Sequence, residues 1–91
     1  ATVIDQFNTN DFISAQYLIQ ATNPNGVSFG TYNVIHDRGS SLISEFGRLN
    51  SNGSLMTVTT DVADNLCRLK VQPATTSVKL KVQSTRLRKS N

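Results

Sequence analysis

With 91 residues the chain is long enough for one domain and too short for two, and a domain of this size hides only about 60 per cent of its extended surface, so neighbours have stability to add. Hydrophobic residues make up 37% and charged residues 16%, a balance too uncharged for disorder driven by charge repulsion. The single Cys67 excludes an intrachain disulfide, one histidine leaves no Cys/His cluster for a structural metal, and no apolar run approaches the roughly 20 residues of a membrane-spanning helix. No cofactor or metal is therefore expected.

Charge is unevenly placed. All six carboxylates, Asp5, Asp11, Asp37, Glu45, Asp61 and Asp64, precede residue 65, where only Arg38 and Arg48 oppose them. Every later charge is positive: Arg68, Lys70, Lys79, Lys81, Arg86, Arg88 and Lys89. Such asymmetry suits nucleic acid, or head-to-tail contact between copies of one protein. The N-terminus lacks a basic region followed by an apolar stretch, so a soluble chain without an export signal is expected. A start at Ala1 is what removal of an initiator methionine leaves, and a fragment boundary reads the same; the first makes this a complete small gene product.

A weak strand is expected at Thr2 to Phe7, and Asn10 to Gln16 offers one short helical turn capped by Asn10 or Asp11. Ser14 to Thr22 reads as a strand with Ala15, Tyr17, Ile19 and Ala21 facing the core. Asn23-Pro24-Asn25-Gly26 should reverse the chain, with Gly26 free to take positive φ. Val27 to His36 follows, with a bulge or bend near Gly30 and a stop at Asp37 to Ser41. Leu42 to Leu49 places Ile43 and Leu49 on one side and Leu42 and Phe46 on the other. Asn50-Ser51-Asn52-Gly53 is the strongest reversal signal and should pair Leu55 to Thr60 with the preceding strand. Leu66 to Gln72 points Cys67, Leu69 and Val71 inward, and Ser77 to Leu87 does so with Val78, Leu80 and Val82. These last two strands are expected to form a hairpin with one cationic face, followed by a basic tail over residues 86–91. About seven short strands in residues 1–85 need two packed sheets, so the expected fold is an all-β, two-sheet antiparallel β-sandwich of one domain.

Chemistry is sparse. His36-Asp37 is the only histidine beside a carboxylate, but neighbours in a strand point to opposite faces; a structural role is expected, with Asp37 in a turn hydrogen bond. Cys67, on an apolar face, reads as an inert thiol, and Asp61 with Asp64 lacks the further oxygens a calcium loop needs. The cationic hairpin, Arg68, Lys70, Lys79 and Lys81 with Arg86, Arg88 and Lys89 trailing, is the candidate partner-binding face. It would attract a phosphate backbone, although all six aromatics precede residue 47 and none interleaves with it for base stacking. Glycan binding would use Tyr17 or Tyr32 as a stacking platform beside amide side chains.

The ordered string is more specific than the composition. Ser14-Ala15-x-Tyr17-x-Ile19-Gln20-x-Thr22, Val34-Ile35-His36-Asp37, Ile43-Ser44-Glu45-Phe46-Gly47, Asn52-Gly53-Ser54-Leu55, Arg68-Leu69-x-Val71-x-Pro73 and Val78-Lys79-Leu80 together resemble a small β-sandwich module of virion structural proteins from tailed, T4-like phages of marine bacteria. The resemblance runs from about residue 12 to 82. It implies a non-enzymatic virion protein, made in the host cytoplasm, that docks in multiple copies on a capsid or tail lattice through edge strands and charged faces. A capsid-decoration role suits a small chain best. The alternatives are a glycan-reading host-attachment module and a nucleic-acid binder.

Overall fold

Each alternating segment becomes a strand whose apolar side lines a shared core. In the computed structural model, which describes residues 1–88, the strands are β1 (Thr2–Asn8), β2 (Phe12–Asn23), β3 (Gly26–Asp37), β4 (Ser40–Asn50), β5 (Met56–Ala63), β6 (Leu66–Pro73) and β7 (Lys79–Arg88). They form two antiparallel sheets, ordered β1-β6-β5 and β4-β3-β2-β7, packed as a sandwich with extents of 47 × 22 × 16 Å. The smaller sheet contributes Phe7, Met56, Cys67, Leu69 and Val71 to the core, and the larger one Ala15, Tyr17, Ile19, Ala21, Tyr32 and Val34. Burying a side chain such as Ile19 or Leu69, both with 1% exposure or less, contributes about 1.5–3 kcal/mol.

Local chemistry sets the connections. Arg38 and Gly39 between β3 and β4, and Asp64 and Asn65 between β5 and β6, all adopt positive φ, as two-residue hairpin turns of the I′ kind require. The β2–β3 turn is held by the Asn25 amide donating to Asn23 Oδ1 at 2.9 Å. Gly26 there keeps φ negative; it is small because a Cβ would lie 3.1 Å from Asn52 Cβ and Ser51 Oγ. Residues 10 to 16 form no helix: Asn8 to Asp11 make a turn, with the Asn10 amide on Asn8 Oδ1 at 2.7 Å, and the chain then enters β2.

Two expected hairpins are absent, and both corrections have the same cause. β5 does not pair with β4, nor β7 with β6; each of these connections crosses from one sheet to the other. Residues 51–55 are drawn across by β3: the Ser51 amide donates to Val27 O at 2.9 Å and the Leu55 amide to Ser28 Oγ at 3.0 Å, which seats Leu55 and Met56 in the core. β6 is already flanked by β1 and β5, so β7 completes the other sheet beside β2. Arg86, Leu87 and Arg88, expected in a tail, belong to β7; Lys89 lies outside the described residues.

A bulge sets the faces of β4. Phe46 opposes Thr31 and Leu49 opposes Phe29, so Gly47 (φ 73°) and Arg48 share the place opposite Gly30. The extra residue turns Arg48 inward and puts Leu49 on the side of Leu42 and Phe46, not with Ile43 as simple alternation expects. The bulge or bend expected near Gly30 thus lies opposite it, in β4; β3 itself pairs with β2 through Gly30 without a register shift.

Candidate docking surface

Both open sides of the sandwich are closed by the same trio of groups. On one, the Tyr17 hydroxyl donates to Asp5 Oδ2 at 2.8 Å, and Arg86 Nη2 donates to both Asp5 oxygens at 2.7 and 2.8 Å, with its guanidinium 5.7 and 5.6 Å from the Phe7 and Phe12 ring centres. On the other, the Tyr32 hydroxyl donates to Glu45 Oε1 at 2.7 Å while Arg48 donates to that oxygen, to Tyr32 Oη and to Ser54 Oγ at 2.6 to 2.8 Å. Burial, then the carboxylate each one meets, raises both phenols, Tyr32 up to about 12. The Tyr32 and Arg48 hydrogen bonds hold the Glu45 carboxyl below its ordinary value. Neither tyrosine is available as a stacking platform, since both rings lie inside the core.

The remaining candidates are also engaged structurally. His36 Nε2 lies 2.6 Å from the Phe12 carbonyl oxygen, and Asp37 stands exposed beside Arg38 rather than in a turn hydrogen bond. Burial encloses the Cys67 thiol and raises its pKa. Asp61 receives Arg68 Nε and Nη2, both at 2.6 Å, and Lys70 Nζ at 3.0 Å, which hold its carboxyl well below the usual carboxylate range.

The six candidate cations among the described residues do not share one surface. Arg68 and Lys70 lie on the outer face of the three-stranded sheet, both paired with Asp61; Arg86 turns inward to Asp5; Arg88 lies 5.2 Å over the Phe12 ring. Lys79 and Lys81 stand apart on β7, without an ion-pair partner among the described residues.

The outer face of the four-stranded sheet differs from its counterpart. Register places its side chains in rows across β7, β2, β3 and β4: Leu87, Ser14, Ile35 and Leu42; then Thr85, Gln16, Asn33 and Ser44; then Gln83, Leu18, Thr31 and Phe46; then Lys81, Gln20, Phe29 and Leu49; and last Lys79, Thr22 and Val27. Leu42, Phe46, Leu49 and Leu87 are 64 to 70% exposed, and Val27 and Ile35 43%. Its one carboxylate, Asp37, sits at the tip. Shallow depressions mark the face, one between Ser14, Gln16, Asn33, Ile35, Thr85 and Leu87 and another between Leu18, Gln20, Phe29, Lys81 and Gln83. The opposite outer face is the polar surface on which Arg68 and Lys70 both pair with Asp61. A cluster of exposed apolar side chains on one face is a general mark of interaction surfaces.

Reading strands one at a time misses this face, because its members come from four strands and Leu49 joins only through the Gly47 bulge. The available signal is the apolar residues on nominally polar sides: Leu18 in β2, Phe29 and Ile35 in β3, Leu42 and Phe46 in β4. Compared with protein-family models, with curated proteins and with solved structures, the chain matches none.

Proposed function

We propose that this protein is a non-enzymatic structural component of a phage particle, an assembly module that docks in multiple copies through the outer face of its four-stranded sheet. The contrast between its two outer faces carries the reading: one is polar, with its cations paired to Asp61, and the other leaves six large apolar side chains in water. The resemblance of its strand and turn motifs to virion β-sandwich modules supplies the biological setting. The edge strands β4 and β7 border the docking face and offer main-chain groups to a neighbouring virion protein, and Lys79 and Lys81 on β7 favour an acidic one. Its place is then the particle itself, as a capsid-decoration or tail-associated component. Mass spectrometry of purified particles should find the polypeptide, and imaging should give a copy number matching a lattice symmetry. Abundance in infected cells with absence from particles would overturn the reading.

A further inference from the structure

We propose that Asn52 is a self-modification site, where the chain slowly converts its own carboxamide into a carboxylate and so loosens the crossing between its two sheets. This goes beyond the docking role and does not depend on it. The chemistry needs an asparagine followed by a residue that leaves the next main-chain nitrogen open to approach, and glycine does so best. That nitrogen, once deprotonated, attacks the side-chain Cγ; the bond from Cγ to the side-chain nitrogen breaks, ammonia leaves with the proton, and a succinimide ring closes. Water then opens the ring at either carbonyl, giving an aspartyl or an isoaspartyl residue. Only water is consumed, and nothing is oxidised or reduced. Within the sequence, glycine follows Asn25 and Asn52 and no other asparagine.

The fold separates these two positions. Gly53 lies outside the strands at φ 76°, its amide makes no backbone hydrogen bond among the described residues, and a Cβ placed on it would meet nothing within 4 Å. Asn52 is exposed, and the hydrogen bond from its Nδ2 to Asn25 O is long, at 3.3 Å. Gly26, by contrast, is held in the β2–β3 ladder opposite Asn23, with Asn52 Cβ and Ser51 Oγ crowding the place of its missing Cβ at 3.1 Å. The Val27 amide beside it is pinned to Ser51 Oγ at 2.8 Å. Bringing the Gly26 nitrogen onto the Asn25 side chain therefore costs ladder hydrogen bonding that ring closure at Asn52 does not. The same geometry gives the conversion a consequence. A carboxylate at position 52 has no donor for the Asn25 carbonyl, so two acceptor oxygens would face each other, and the isoaspartyl form also lengthens the main chain by a methylene. On either side stand the anchors of the crossing, the Ser51 amide on Val27 O and the Leu55 amide on Ser28 Oγ, which seat Leu55 and Met56 in the core.

Peptide mapping by mass spectrometry of the full folded chain, incubated in warm, mildly alkaline buffer, should show Asn52 converting on the order of tenfold faster than Asn25, the ratio that one net hydrogen bond at Gly26 sets. In concentrated urea, where the ladder is gone, the two rates should draw together. Asn52→Gln, whose longer side chain closes a larger ring more slowly, should remove the fast phase. Converted chains, separated from fresh ones by ion exchange, should show faster amide exchange at Leu55 and Met56 and a lower unfolding midpoint, and Asn52→Asp should reproduce the aspartyl part of that shift. An Asn52 that stays intact in the folded chain, or converts no faster than Asn25, would overturn the site. Converted chains with unaltered exchange at Leu55 would overturn its effect on the crossing.

Discussion

Gly30 is a glycine because Tyr32 lies over it: a Cβ there would sit 2.8 Å from the ring and hydroxyl of Tyr32. Its φ is not positive, so the constraint is space and not backbone conformation. Gly30→Ala should cost about 1–3 kcal/mol by displacing a fully buried ring, read as a shift in denaturant midpoint at constant m-value. The trios around Tyr17 and Tyr32 also make stability depend on pH at both ends. Glu45 is held below its ordinary value, so its contribution is complete above the unfolded carboxyl value and is lost as pH falls through the lower folded one. Tyr32, raised from 10.0 to about 12, contributes fully below 10 and loses that contribution as pH rises towards 12, on the order of 2 kcal/mol. Denaturation curves across pH should therefore fall off at both extremes. Glu45→Gln should flatten the acid limb, and the phenolate absorbance of the native protein should rise only well above pH 10.

At the scale of elements, side chains and not hydrogen-bonded ladders hold the sheet margins together. β1 meets β7 through Asp5 and Arg86, and β4 meets the segment leading into β5 through Arg48 with Ser54 and β5 itself through Ser41 with Thr60, whose hydroxyl oxygens are 2.9 Å apart. Arg86→Met would leave the Asp5 carboxylate, 26% exposed, and the Tyr17 hydroxyl without the cation between them. A loss of about 1–3 kcal/mol is expected, with faster amide exchange in β1 than in β3, since β1 has one neighbour strand and depends on that margin. The sequence made the inward faces of β2 and β6 legible, because Ala15, Tyr17, Ile19 and Ala21, like Cys67, Leu69 and Val71, keep strict period two. β4 was harder to read: Leu49 follows Ile43 at an even spacing, yet the bulge shifts it to the other side.

For the whole molecule, the number of strands and the two-layer solution follow from patterning, whereas the neighbours of β5 and β7 do not. Alternation says which side of a strand is buried and nothing about which strand lies beside it; Asn50 to Gly53 looks like a tight reversal, yet Ser28 and Val27 hold it as a bridge between layers. The cationic surface expected of Arg68, Lys70, Lys79 and Lys81 depended on such a pairing and is divided between the two sheets, while the apolar face emerges only once four strands are in register. The ladders joining β1 to β6 and β2 to β7 close loops of some 60 residues, which must be ordered before they are rewarded. Refolding after denaturant dilution should accordingly take milliseconds to seconds, slower than for helical domains of similar length; stopped-flow fluorescence of the two tyrosines would time it.

One torsion ties the interior to the exterior. With any side chain at position 47 the left-handed backbone becomes costly, and plain pleating, which sends Arg48 to solvent and Leu49 into the core, becomes the competing arrangement. Tyr32 and Glu45 would lose their cation in the same event that stripped the outer surface of one of its most prominent apolar groups. Mutational drift at that glycine thus cannot alter the molecule's apolar exterior without also loosening the bolt that keeps its two layers shut.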